Sequence, residues 1–93
     1  MTAEQTELTA GEIEKGLRGH LDSVLNTAVE PDQDLFKSGL VSSMFAMQLV
    51  VHLEETYDIA IIGADLKLDS FRTVQAMTEL VLRLRAAAAG ADA

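Results

Sequence analysis

Residues 34–44 read Asp34-Leu35-Phe36-Lys37-Ser38-Gly39-Leu40-Val41-Ser42-Ser43-Met44, and the change of pattern at the end of this stretch sets the architecture of the chain. Asp34, Ser38 and Gly39, with Pro31 and Asp32 just before them, are turn formers. From Ser43 onward Ala46, Leu49, Val50, Leu53 and Tyr57 recur at helical spacing and make one apolar stripe. A long ordered loop over 28–42 therefore runs into an amphipathic helix over 43–57, about 22 Å long at 1.5 Å per residue. Ser42 stands where an N-cap is needed, its hydroxyl accepting from a backbone N–H of the first turn. Leu35, Phe36 and Leu40 are available to pin the loop to a core. Loops longer than about 12–15 residues are uncommon and often functional, so the chemistry is expected at the far end of this one.

Upstream, a helix start is written at Thr9. Thr9 and Glu12 have capping-box spacing, and Leu8 and Ile13 sit where a hydrophobic staple would. Ile13, Leu17, Leu21 and Val24 form its apolar stripe. Gly16 and Gly19 lie inside it at a cost of about 1 kcal/mol each relative to Ala; they either admit a close neighbour or are tolerated. Downstream, residues 58–67 are irregular and 69–72 suit one short helical turn. Thr73 caps a last helix with Val74, Met77, Val81 and Leu84 inward. Arg83 and Arg85 are expected near its C-terminal end, where cations suit the dipole. Residues 1–7 read as a flexible lead, 8–86 as one domain and 87–93 as a small-residue tail. The runs at 49–53, 59–62 and 80–84 are rich enough in branched residues for strands. No hairpin signal joins any two, and two of them continue helical patterns. The fold expected is all-α: a small four-helix bundle with three long helices and one short one.

The 93 residues suffice for one domain, with 48% hydrophobic but only 4% aromatic residues, so the core is aliphatic. Fifteen acidic against seven basic residues give a formal charge of −8. That balance argues against nucleic acid as a partner, because phosphate binding needs Lys and Arg. It suits either plain solubility or docking on basic patches of partner proteins. With no cysteine, disulfides and thiolate metal sites are excluded. No apolar run approaches the roughly 20 residues that span a bilayer. A cytoplasmic, monomeric protein with no membrane partner is expected.

The stretch 34–44 resembles the acyl carrier protein family, whose loop commonly reads D-L-F-x-x-G-x-x-D-S-L before its second helix. The likeness extends to the capped first helix, to Leu53-Glu54-Glu55-Thr56-Tyr57 at the end of the second, and to the short turn and closing helix. The resemblance implies that Ser43 is the attachment site of a covalent 4′-phosphopantetheine arm taken from coenzyme A. It also implies a non-catalytic carrier, itself a substrate of a phosphopantetheinyl transferase and of acyl-loading or acyl-modifying enzymes. The physics agrees. A serine at a helix N-terminus is held at the end of a rigid element, where unpaired N–H groups and the dipole favour a phosphodiester anion. The thiol that carries the acyl thioester then belongs to the cofactor, which is how a chain without cysteine can do thiol chemistry.

The sequence departs from the family's pattern beside that serine. The usual Asp before it is Ser42, and the usual Leu after it is Met44. Phe45 and Gln48 stand where generic carriers place carboxylates, and acidic residues come only at Glu54, Glu55 and Asp58. The docking surface expected from Ser42, Met44, Phe45, Gln48, Val51, Glu54 and Glu55 is thus apolar near the serine and acidic at its far end. Phe45 either belongs to this patch or folds back over the core. Met-Phe-Ala-Met-Gln-Leu-Val after the serine, with Asp69-Ser-Phe-Arg-Thr-Val later, looks most like discrete carriers of bacterial polyketide (antibiotic-type) pathways. Those carry methoxymalonyl-, hydroxymalonyl- or aminomalonyl-type extender units to a polyketide synthase. The alternatives are an aminoacyl or peptidyl carrier of a peptide-synthetase or D-alanine-transfer system, and a helical interaction module with no arm. Leu40-Val41-Ser42 lacks the glycine pair that peptidyl carriers usually show.

Other signals carry less. His20 reads as a boundary residue and His52 as a solvated one, neither with a nucleophile or carboxylate at a suggestive spacing. Asp32 and Asp34 begin like a calcium loop, but Lys37 stands at its glycine position and Ser43 at its bidentate Glu. No metal site is expected, and nothing forms a pocket with convergent acid–base groups.

Overall fold

The computed structural model describes residues 9–91, with side chains through residue 87. Three α-helices, α1 (Ala10–Leu25), α2 (Ser43–Tyr57) and α3 (Val74–Ala91), are joined by the long loop and by two 3-10 turns, Gly63–Asp65 and Leu68–Phe71. Among the described residues there is no strand. The short helix expected at 69–72 is the second 3-10 turn; the first was not foreseen. The expected lead, and Leu8 of the staple, lie outside the described residues.

Each helix begins as its sequence dictates. The Thr9 hydroxyl accepts from Glu12 N–H and the Glu12 carboxylate accepts from Thr9 N–H, both at 3.1 Å, a complete capping box. Ser42 accepts from Phe45 N–H at 3.1 Å, and Thr73 accepts from Ala76 N–H at 2.9 Å. α1 and α2 end on Asn26 and Asp58, both in the left-handed conformation that closes many helices.

The core joins the three stripes. Ile13, Leu17 and Leu21 of α1 meet Leu49 and Leu53 of α2, Phe71, and Val74, Met77 and Val81 of α3. Each such side chain contributes about 1.5–3 kcal/mol by leaving water. Val24, assigned to the α1 stripe, is instead 48% exposed: it lines a surface groove between α1 and α2, while Leu25 beside it packs against the core. The Cβ of an alanine at position 16 would lie 3.2 Å from the Tyr57 hydroxyl oxygen, so Gly16 admits a close neighbour. Gly19 has open space and is merely tolerated.

α3 runs through Ala91, past the point where the tail was expected to begin. Arg83 and Arg85 therefore lie within the helix rather than at its end, and their partners are tertiary. Arg83 pairs with Asp65 at 2.6 Å, and Arg85 donates to the Tyr57 carbonyl at 2.9 Å.

Candidate functional site

The loop between α1 and α2 is held by its own backbone and by three anchors. Val29, Leu35 and Val41 are buried, while Phe36 and Leu40 are half-buried against the core. Leu35 N–H donates to the Arg72 carbonyl at 2.8 Å, and Gln75 N–H donates to the Pro31 carbonyl at 2.9 Å. The Asp34 carboxylate accepts from Lys37 N–H at 2.8 Å and from Arg72 at 3.3 Å. Those bonds, the Lys37 N–H foremost, hold the Asp34 carboxyl below its usual range against some loss of solvation. Gly39 takes φ +82°, a left-handed turn that costs glycine little. Val41 N–H then donates to the Leu35 carbonyl at 3.1 Å and brings the chain to Ser42.

This geometry sets Ser43 on the first turn of α2. Ser42 uses its hydroxyl on Phe45 N–H and its carbonyl on Ala46 N–H. The N–H groups of Ser43 and Met44 precede the first intrahelical bond and point off the helix end. Ser43 itself is exposed, so its hydroxyl is reachable from outside. From it opens a groove of about 320 Å³ between α2 and the second 3-10 turn, lined also by Met47, Val50, Leu66, Lys67 and Phe71. An exposed hydroxyl, free helix-end donors and an adjoining apolar trough fit a phosphodiester-linked arm, with Ser43 to hold it and the helix end to stabilise its charge.

The other site residues divide. Met44 is 77% and Val51 51% exposed. Gln48 and Glu55 are also exposed. Phe45 is half-buried against the core, so the second of its two expected positions is the one it takes. Glu54 is partly buried and accepts from Ile61 N–H at 2.9 Å, which ties the end of α2 to the segment after it. Met47, Leu66 and Leu68, all exposed, were missed. Met47 was findable one helical turn after Ser43; Leu66 and Leu68 carry no periodic signal. His52, expected to be solvated, is half-buried and stacked on His20 with centroids 3.6 Å apart.

Among known proteins, residues 15–81 match the family described as Phosphopantetheine attachment site. The D-alanyl carrier protein of Lactobacillus delbrueckii subsp. bulgaricus is 33% identical over 54 residues, 58% of this chain and 68% of that protein. The D-alanyl carrier proteins of Streptococcus sanguinis and Streptococcus gordonii are 36% identical over the same shares.

Proposed function

The chain belongs to the acyl carrier protein family of phosphopantetheine-bearing domains, and on that premise we propose that Ser43 is its attachment site. Members of this family are non-catalytic carriers that interact with a phosphopantetheinyl transferase and with acyl-loading enzymes. The observation that carries the proposal is the exposed Ser43 on the first turn of α2, beneath a cap made by its neighbour Ser42. Once bound, the arm supplies the thiol on which an acyl group is held as a thioester.

The chain's own part is to present one hydroxyl. Ser43 Oγ forms the new P–O bond while its proton passes to a base of the transferase and the nucleotide half of coenzyme A leaves. The donors at the start of α2 stabilise the resulting anion, and the rigid helix fixes where the arm departs. The Met44 and Val51 side chains offer partners an apolar surface beside it, with Glu55 at its far end. We read the carrier unit as residues 8–86, with the 3-10 turn Leu68–Phe71 as the fourth helix of the bundle, acting as a monomer in the cytoplasm.

For the cargo, the likeness to D-alanyl carrier proteins favours an aminoacyl group over a malonyl-type extender unit for a polyketide synthase. The test offers the arm-bearing protein D-alanine, ATP and a D-alanine-activating ligase, and separately a malonyl-type donor with its transferase. A thioester formed with D-alanine supports the aminoacyl reading. A thioester formed only with the malonyl-type donor replaces it with the extender-unit reading.

A further inference from the structure

The two histidines of the chain stand on different helices and meet face to face. His20 of α1 and His52 of α2 stack with centroids 3.6 Å apart and ring planes within 8°, and both are half-buried. The surface groove over this seam is lined by Val24, Phe45, Leu49 and Val51 and, on its polar side, by Gln48 and Glu55, so the rings meet at a half-buried joint that protons can reach. The groups whose charge acts on His52 are His20 from α1 and Glu55 from its own helix. The Thr56 hydroxyl lies 3.4 Å from His52 Nδ1. Two neutral imidazoles keep this face-to-face contact by dispersion and shared burial, whereas two imidazolium ions so close repel one another.

We propose that the His20–His52 stack is a proton-operated clasp between α1 and α2, closed while both rings are neutral and released when the pair takes up protons. Loss of solvation, then the neighbouring His20, hold His52 below its ordinary value, with Glu55 partly opposing them. The folded state therefore binds this proton less readily than the unfolded chain does. The clasp's contribution is complete above about pH 6.5 and declines as pH falls through that value toward the lowered one. Phe45 lines the same seam two residues after Ser43, so release would loosen the first turn of α2. The clasp rests on the ring geometry and stands apart from the carrier reading.

The test is a side-chain NMR titration of His52 between about pH 7.5 and about pH 5, spanning the imidazole range, with thermal melts across the same window. The whole chain is compared with His20→Phe, which keeps a flat ring over His52 but cannot be protonated, and whose face welcomes a cation. The wild type should show a His52 midpoint below the ordinary value and a melting temperature that drops on acidification. In His20→Phe the midpoint should move up and the drop should shrink. A wild-type midpoint at or above the ordinary value overturns the clasp, and so does a midpoint or melting profile that is the same in both proteins. Should His20→Phe fail to fold, His20→Gln, which also removes the second ionisable ring, takes its place with the same outcomes deciding.

Discussion

The guanidinium of Arg72 reaches back 38 residues to the carboxylate of Asp34 at 3.3 Å and holds Asp69 at 2.8 Å with its other terminal nitrogen. It also lies 5.8 Å from the centre of the Phe36 ring. With Leu35 N–H on the Arg72 carbonyl, this junction fixes the loop that leads to Ser43 against the turn that precedes α3. Because the Arg72 and Asp34 side chains are partly exposed and screened by solvent, Arg72→Ala should lower stability only slightly. Chemical denaturation measures it, and a loss as large as that of a core truncation would mean that the junction does more than tether the loop.

Asp34 provides a pH prediction at the same place. Its carboxyl is held below the ordinary value of 3.8, first by Lys37 N–H and then, against desolvation, by Arg72. Its contribution to stability is thus present above about pH 4 and is lost as pH falls through the lowered value. In a carboxyl NMR titration Asp34 should titrate below the ordinary value and rise only partway toward it in Arg72→Ala. A full return would make Arg72 the dominant partner.

The two glycines of α1 should separate. Gly19→Ala meets open space and should stabilise the protein by about 0.8–1 kcal/mol through helix propensity. Gly16→Ala forces the Tyr57 hydroxyl to give way from 3.2 Å and should gain distinctly less, or lose. Equal gains in thermal melts would show that Tyr57 yields freely.

In the core, Leu53→Ala should cost about 2–5 kcal/mol, since Leu53 is wholly buried between the helices. On the surface, Met44→Glu should leave the melting temperature unchanged and slow loading by the cognate enzyme. Met44 rather than Phe45 is the residue to change, because the half-buried Phe45 would confound docking with stability. An unchanged loading rate would remove the case for an apolar docking surface beside Ser43.

Local chemistry was legible wherever it is local. The Thr9 box, the Ser42 and Thr73 caps, and the buried stripe Ala46, Leu49, Val50, Leu53 and Tyr57 are all found where spacing puts them. What escaped depends on how elements meet. Val29 and Val41 are buried within an aperiodic loop, where no period announces burial. Leu80 and Thr78 are buried in α3 because neighbours surround that helix on more than one stripe. Arg83 found Asp65, 18 residues earlier, and His20 found His52; neither pairing leaves a trace in sequence spacing. For the candidate site, the helix start at Ser43 was readable, but the groove beside it needs Leu66 and Leu68 from a separate segment.

Intact-protein mass after incubation with coenzyme A and a promiscuous phosphopantetheinyl transferase, wild type beside Ser43→Ala, tests the role assigned to Ser43. The expected result is a gain of one phosphopantetheinyl group in the wild type and none in Ser43→Ala. A gain in both proteins would put the arm on another residue, and no gain in either with several transferases would contradict attachment altogether.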